Sequence, residues 1–290
     1  MKKKLFVLLA MVSIFALFLA GCGGGGSSTD SSDTDQKETQ NQDSDSNTDT
    51  SWEDIKAKGY FIVGLDDNFP PMGFRDDKGE IVGFDIDMAK EAAKRMGVEV
   101  KFQPVEWDGV TMSLRNGDID LIWNGLSITE ERKQVIDFSK PYIDNNQIIV
   151  TMKGSPLRTK ADLAGKILGY QLGSSSEVAV SADAKTAESL KEIKKYPTFS
   201  EALMDLENGR IDAVCIDGIA FYYYNAKRPG TYDVMTGEGD NFGTEQMAVG
   251  IRKTDKAFAE LLNQTLDEMK ADGTAGKICT EWFGEDLIVK

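Results

Sequence analysis

A short stretch of the chain, residues 123–133, places an arginine and two hydroxyl side chains directly after an apolar segment. Ser127 offers a hydroxyl group, and Thr129 has the type and position of an N-cap, with Arg132 three residues later. The free backbone N–H groups at the start of such a helical turn favour an anion, and the planar guanidinium suits a carboxylate. The stretch therefore predicts a carboxylate-binding site, although so many charged residues are also typical of a solvated surface turn.

The residues that precede this stretch, 119–123, are apolar except for one aspartate and predict a short interior strand that stops at Asn124-Gly125. A weak internal repeat contains the same elements, because residues 112–123 and 204–215 agree at six of 12 positions. Each copy predicts a helix that ends in Asn-Gly and is followed at once by a buried strand. The repeat implies two similar lobes, although convergence on a common turn would give the same pattern.

The repeat also predicts where a ligand lies, since ligands of open α/β sheets gather beyond the carboxyl ends of the strands. In the first copy that end is Asn124-Gly125, and in the second copy it is Asp217. If the two lobes face each other, Arg132 and Asp217 meet the opposite ends of one small zwitterion. Asp217 could also cap the helix that follows it, in place of this role or together with it.

The elements that must position these groups alternate between strand and helix patterns. Residues 60–65 and 98–105 predict strands, whereas apolar residues recur at helical spacing over 86–96 until Gly97 ends the element, and 107–116 predicts a further helix. This order predicts βαβ units and mostly parallel sheets that are covered on both faces, which is an α/β fold.

The N-terminal residues 1–21 have the pattern of a signal peptide, with three lysines before an apolar run that is too short to span a membrane. The segment ends before Cys22 in a sequence that resembles the lipobox of bacterial lipoproteins, which implies a diacylglycerol on that thiol. An incidental cysteine beside an ordinary cleavage site is the alternative. Residues 22–50 continue with polar residues and glycine and predict a disordered tether.

The composition excludes several classes of function. Loss of the three lysines with the signal leaves 30 basic and 48 acidic residues, a net charge of −18, which disfavours nucleic acid as a partner. The chain contains no histidine, so Ser-His-Asp catalysis and histidine metal sites are excluded. We expect no catalytic residue, no metal and no cofactor. The remaining 240 residues, from Ser51 to Lys290, suffice for two lobes.

Residues 51–284 resemble the polar amino-acid solute-binding proteins of family 3, which serve ABC importers. The motifs that carry this resemblance are Asp66 with Phe69, residues 82–87, 127–132, 137–142, 162–166, 173–175, 212–217, 272–274 and 282–284. The resemblance implies a two-lobed, periplasmic-binding-protein-like (type II) fold, with two α/β lobes that are joined by two hinge strands and close over an amino acid.

The same resemblance implies a division of the chain. The first lobe would take residues 51–143 plus 248–290, and the second would take 144–247. The hinge would then lie at residues 142–146 and 243–247. Cys215 and Cys279 fall in different lobes on this map, so a disulfide between them would oppose closure, and we expect both to be free.

Site residues also follow from the resemblance. Arg132 would bind the ligand carboxylate, helped by the backbone N–H groups of Ser127 and Ser175, while Asp217 would bind the ammonium group. The Gly125 carbonyl and the Ser127 hydroxyl would be further acceptors for that ammonium. An aromatic pair would enclose the ligand side chain, although both aromatic residues could simply be core. The candidate ligand-binding residues are Asp66, Phe69, Trp107, Asn124, Gly125, Ser127, Arg132, Gln171, Ser174, Ser175 and Asp217.

The expected function is an extracytoplasmic receptor, lipid-anchored through Cys22 to the outer face of the bacterial cytoplasmic membrane. It would act as a monomer and deliver an amino acid to the membrane subunits of an ABC importer. Asp66 favours a cationic ligand such as arginine, lysine or ornithine, or the amide of glutamine, while cystine and histidine stay open. The alternatives are a sensor subunit or a dehydratase on the same scaffold, for which Glu177 is the one acid that could be named.

Overall fold

Two twisted sheets flanked by helices make up residues 49–237 and 239–290, which are the part of the chain that the computed structural model describes. The predicted signal peptide and the lipidation residue Cys22 lie outside these described residues. Within the described ranges, no helix combines the length and the apolar character that a membrane span needs.

The elements follow one another in mixed order along the chain. The strands are β1 Tyr60–Leu65, β2 Asn68–Phe69, β3 Gly73–Arg75, β4 Ile81–Val82, β5 Glu99–Pro104, β6 Leu121–Ile122, β7 Asp137–Phe138, β8 Ile143–Met152, β9 Ile167–Gln171, β10 Glu192–Tyr196, β11 Ala213–Asp217, β12 Tyr232–Val234, β13 Thr244–Met247 and β14 Gly250–Ile251. The α-helices are α1 Ser51–Lys58, α2 Phe84–Met96, α3 Val110–Asn116, α4 Glu130–Val135, α5 Ser175–Ala182, α6 Ala184–Ser189, α7 Phe199–Glu207, α8 Gly218–Lys227, α9 Lys256–Ala271 and α10 Thr274–Phe283. Two 3₁₀ turns lie at Trp107–Gly109 and Lys160–Leu163.

The two main sheets share one topology. The first has the order β5-β1-β6-β14-β7 and the second has the order β10-β9-β11-β8-β12. In each sheet the fourth strand of the order, β14 or β8, runs antiparallel to its neighbours, and the other pairings are parallel in direction. A small antiparallel sheet of β2, β3 and β4 extends the first lobe. The α/β two-lobed fold that the sequence implied is confirmed.

The internal repeat corresponds to equivalent places in the two sheets, because α3 leads into β6 and α7 leads into β11, each the third strand of its order. Gly117 and Gly209, which follow the two helices, both have a positive φ, as predicted. The interior strand predicted for residues 119–123 is shorter than expected, since only Leu121–Ile122 is a strand. The helix predicted for 107–116 begins as a 3₁₀ turn.

Apolar residues cover both faces of the first sheet, because alternate side chains of β1 point in opposite directions. Phe61 and Val63 are fully buried in a cluster that includes Phe258 of α9. On the opposite face, Ile62 packs with Leu114 of α3. The sheet is therefore a rigid support for the loops at the ends of its strands.

Two antiparallel strands connect the lobes. Residues 143–146 of β8 pair with β13, and β8 then continues into the second sheet, where it pairs with β11 and β12. These strands coincide with the predicted hinge segments, but rotation about them and the lobe boundaries remain predictions. Cys215 and Cys279 are both buried and free, as expected.

Candidate ligand-binding site

A small cavity, with room for about 10 Å³ of solvent, lies between the lobes. It is bounded by the residues that end or follow β1, β6, β9 and β11, the edge at which ligands of α/β sheets gather. Nine of the 11 sequence-predicted residues line this cavity, and they are Asp66, Phe69, Trp107, Gly125, Arg132, Gln171, Ser174, Ser175 and Asp217. The other two, Asn124 and Ser127, lie against these residues and contact them directly.

Arg132 is a buried cation whose nearest partners are uncharged. The helix that carries it starts at the predicted N-cap, since the Thr129 hydroxyl accepts a hydrogen bond from the Arg132 backbone N–H. The guanidinium donates to the carbonyl oxygens of Ser127 and Gly173, each at 2.9 Å, and so bridges the two lobes. Burial lowers the pKa of Arg132, while the negative charges of Glu245 and Asp217 oppose that shift. A guanidinium held mainly by neutral carbonyls is well suited to an anion.

Asp217 is the buried anion of the site, at the end of β11. Its Oδ1 accepts hydrogen bonds from Asn145 Nδ2 at 2.6 Å and from Gln147 Nε2 at 2.9 Å. Burial raises the pKa of Asp217 well above its ordinary value, and the negative charge of Glu245 raises it further. The side chain makes no capping hydrogen bond to α8, so the alternative role as a helix cap is wrong.

Glu245 is a site residue that sequence reasoning missed. Its Oε1 accepts from the hydroxyls of Ser127 at 2.6 Å and Ser175 at 3.1 Å. It also accepts from Asn145 Nδ2 at 2.7 Å and Gln147 Nε2 at 2.8 Å. No local pattern marks a glutamate in a polar segment, and its position follows from the pairing of β13 with β8, where Glu245 lies opposite Asn145.

Asp66 ends the first strand and is nearly fully buried. One carboxylate oxygen accepts from the Asn68 backbone N–H at 2.9 Å, and the other accepts from Gln171 Nε2 at 2.7 Å across the cleft. Burial raises the pKa of Asp66, and the nearby charges of Asp67 and Glu106 raise it further. Asp66 therefore fixes its own loop and also faces the cavity.

Phe69 and Trp107 line the cavity, and each also belongs to an apolar cluster of buried residues. Both residues are therefore part of the core and part of the pocket wall. The Phe69 ring lies 5.9 Å from the Phe199 ring across the cleft, and the Arg132 guanidinium lies 5.8 Å from the Trp107 ring centre. Gly125 has φ +61°, and a Cβ at that position would lie 2.7 Å from Phe69 Cε1. Only glycine fits this turn without strain.

The remaining predicted residues position their neighbours. Asn124 Oδ1 accepts from the Asp66 backbone N–H at 3.1 Å, and the Ser174 hydroxyl donates to the Gln171 carbonyl at 2.7 Å. Glu177, the one acid considered for catalysis, accepts from the Gly173 N–H and forms an ion pair with Lys195. That pairing suits a structural role at the start of α5.

Known proteins resemble this chain over most of its length. The sequence pattern of the bacterial extracellular solute-binding proteins, family 3, matches residues 61–285. The L-cystine-binding protein TcyJ of Escherichia coli (strain K12) is 32% identical over 235 residues, which are 80% of this chain and 86% of that protein. The ABC transporter arginine-binding protein 1 of the same strain is 32% identical over 222 residues, 76% of this chain and 89% of that protein.

A solved structure is also similar. An ABC uptake transporter substrate binding protein from Streptococcus pneumoniae, with bound histidine, is 38% identical and has a TM-score of 0.80. The alignment covers 84% of this chain and 100% of that chain.

Proposed function

Because the chain belongs to the bacterial extracellular solute-binding proteins of family 3, we propose that it captures a polar amino acid between its lobes and delivers it to an ABC importer. The family consists of solute-binding proteins, so the expectation that the chain is not an enzyme is confirmed. The relatives named above bind cystine, arginine or histidine.

The observation that carries the proposal is the pair of opposite charges on one small cavity. Arg132 and Asp217 both line it, both are buried, and they come from different lobes. Burial of single charges is costly unless they are paired, and a zwitterionic amino acid pairs both at once. In this arrangement Arg132 takes the α-carboxylate through two parallel hydrogen bonds and Asp217 takes the α-ammonium.

The charges near the cavity favour a cationic side chain or an amide over an acid. Arg132 and Asp217 are assigned to the two charged ends of the amino acid, so Asp66 is the carboxyl group on the cavity that faces the ligand side chain. Asp66 accepts a hydrogen bond from Gln171, whereas the Ser127 and Ser175 hydroxyls donate to Glu245. We therefore propose arginine, lysine, ornithine or glutamine as ligand, with histidine and cystine as the alternatives that relatives suggest.

Closure is proposed to work through contacts that join the lobes. Gln171 donates to Asp66, Arg132 donates to the Gly173 carbonyl, and the Tyr224 hydroxyl donates to the Asn68 carbonyl. Each contact would open when the lobes rotate about the β8 and β13 pair, so a bound amino acid would be released to the importer on opening. The proposed lobes are residues 51–143 plus 248–290, and 144–247.

We also propose the anchor that the N-terminal sequence predicts. Cys22 would carry the lipid, residues 23–50 would form the tether, and the folded part would act as a monomer at the outer face of the membrane. This placement brings the released amino acid close to the membrane subunits of the importer.

A thermal-shift screen of the purified full chain against the twenty amino acids, ornithine and cystine tests the proposal. An amino acid present at a hundred times its dissociation constant adds about 2.7 kcal/mol of stability. We expect the largest shift with a cationic amino acid or glutamine and the smallest with glutamate and aspartate. Agmatine, which is arginine without its carboxylate, is the matched control and should give no shift. Stability that is unchanged by every amino acid would contradict the proposal.

A further inference from the structure

Two acidic side chains share the same hydrogen-bond donors beside the cavity. Asn145 Nδ2 lies 2.6 Å from Asp217 Oδ1 and 2.7 Å from Glu245 Oε1. Gln147 Nε2 lies 2.9 Å from the first oxygen and 2.8 Å from the second. Two carboxyl oxygens that contact the same two nitrogen atoms are necessarily close to each other. Asp217 Oδ2 and Glu245 Oε2 take part in none of these bonds.

The two residues reach this point from different elements. Asp217 ends a strand of the second sheet, whereas Glu245 lies on β13, one of the two strands that connect the lobes. Glu245 also contacts the Ser127 hydroxyl of the first lobe and the Ser175 hydroxyl of the second. It is therefore placed where both lobes and the connecting strands meet, next to the group that the proposed function assigns to the ammonium.

Resting on that proposed function, we infer that Glu245 and Asp217 together form the subsite for the α-ammonium of the amino acid. When the ammonium group enters, it takes the place of a proton that Asp217 holds before binding. A buried carboxyl group beside a second acid is hard to ionise, so Asp217 keeps its proton until the cationic group of a ligand binds. An ammonium group brings a full positive charge and hydrogen-bond donors for both acids. The proton of the carboxyl group is released to solvent when the ammonium enters.

The electrostatic surroundings agree with a held proton. Burial, followed by the negative charge of Glu245, raises the pKa of Asp217 well above the ordinary carboxyl value. The other charged group that acts on both is the Arg132 guanidinium of α4. Cys215, on the same strand, has a pKa that burial raises and stays a neutral thiol. The contacting groups of β8, Asn145 and Gln147, carry no charge.

The sign of the pH dependence follows from the proton release. Asp217 is protonated before binding and must be ionised afterwards, so the affinity for an amino acid rises with pH until Asp217 ionises by itself. This dependence is the same for every amino acid side chain, because the α-ammonium is common to all of them. It differs from the effect of Asp66, which depends on the side chain of the ligand.

The test is calorimetric titration of the purified full chain with L-arginine, L-histidine, L-glutamine and L-cystine, in buffers of different ionisation enthalpy. Over the pH range in which Asp217 is protonated before binding, we expect release of up to about one proton for each amino acid that binds, and an affinity that rises by up to about tenfold per pH unit. Glu245→Gln keeps the shape of the side chain and removes its charge. We expect it to weaken amino-acid binding about tenfold or more and to reduce the proton release.

A second comparison separates contact with the ligand from a structural role. Des-amino arginine and des-amino glutamine keep the carboxylate and the side chain but lack the α-ammonium. Glu245→Gln should narrow the preference for each amino acid over its des-amino analogue by about tenfold, because the variant loses only the contact with the ammonium. Glu260→Gln, the same change at an exposed position on α9, is the matched control and should behave as the wild type.

Each outcome decides the inference. If Glu245→Gln weakens the binding of the amino acids and of their des-amino analogues equally, Glu245 only positions Ser127 and Ser175, and the inference is overturned. Amino-acid binding by the wild type without any proton release would overturn it as well, while leaving the proposed function intact. Failure of these four amino acids, and of lysine and ornithine titrated in the same way, to bind the wild type would overturn the proposed function and the inference together.

Discussion

Asp85 gives a prediction that couples the pH of the medium to the stability of the fold. This carboxyl group is fully buried at the start of α2, where one oxygen accepts from the Gly125 backbone N–H at 2.6 Å and from the Tyr142 hydroxyl at 2.8 Å. Burial raises the pKa of Asp85 to about 7 from the ordinary value of 3.8. Asp85 thereby connects Gly125, in the turn of the binding site, to Tyr142 at the start of the proposed hinge. The ionised form of this buried carboxyl group is unfavourable.

The raised pKa fixes the sign of the effect. Between the ordinary value and about 7, the folded protein holds the proton of Asp85 and the unfolded chain has lost it. Stability from this group is therefore fully present at low pH and is lost as pH rises toward 7. The loss is about 1.4 kcal/mol per pH unit and stops at the folded pKa of about 7. Between about pH 5 and about pH 8, stability therefore falls by about 3 kcal/mol.

The substitution Asp85→Asn isolates this effect because the amide stays neutral at every pH. Its oxygen can accept both hydrogen bonds that Oδ2 accepts, and its nitrogen takes the place of Oδ1, which has no partner among the described residues. The stability of the variant relative to the wild type should therefore be about 3 kcal/mol greater at about pH 8 than at about pH 5. Urea unfolding at both pH values measures the difference, and Asp77→Asn, an exposed change on the turn after β3, is the control. A stability difference that is the same at both pH values would refute this reasoning.

Three further predictions concern the ligand, the turn and the anchor. Asp66→Asn should weaken the binding of a cationic amino acid by several kcal/mol but the binding of glutamine by only about 1 kcal/mol. Calorimetry measures both binding free energies, and an equal loss for the two ligands would contradict a contact between Asp66 and the ligand side chain. Gly125→Ala should lower the free energy of unfolding by about 1–3 kcal/mol more than Gly117→Ala, because both glycines have positive φ but only the first Cβ would press on Phe69. Chemical denaturation compares the two, and equal losses would show that the contact with Phe69 relaxes. Cys22→Ala should abolish lipid labelling in cells without changing amino-acid affinity, and a labelled variant would contradict the anchor.

Local sequence patterns predicted several elements of the first lobe because they record burial and chain reversal, whereas the two-lobed fold with its hinge strands was implied by the family resemblance. The alternation within β1, the glycine that ends α2 and the Thr129 cap of α4 each depend on a few neighbouring residues. The repeat predicted the shared position of α3 and α7 for the same reason. The length of β6 was overestimated, since an apolar run shows that residues are buried but not where strand pairing stops.

The residues that were missed depend on distant pairing. Glu245 and Asn145 meet only because β13 and β8 lie in one register, and no spacing within either segment predicts that contact. Asp85 has the type and position of an acid at a helix start, yet it is buried against Gly125 and Tyr142. Such polar side chains in a hinge or a core carry no apolar periodicity, so a single sequence gives no signal for them.

The proposal that Arg132 and Asp217 hold the two ends of an amino acid is tested most directly by titrating their variants. Arg132→Lys keeps the charge without the planar fork, and Asp217→Asn keeps the shape without the charge, so each should weaken L-arginine and L-glutamine by about 2–5 kcal/mol. Arg115→Lys, on the exposed face of α3, is the matched control for the first variant and should bind as the wild type. Circular dichroism should show an intact fold in every case. Calorimetry that finds either site variant within about threefold of the wild-type affinity, a difference of less than about 1 kcal/mol, would contradict the assignment of that residue.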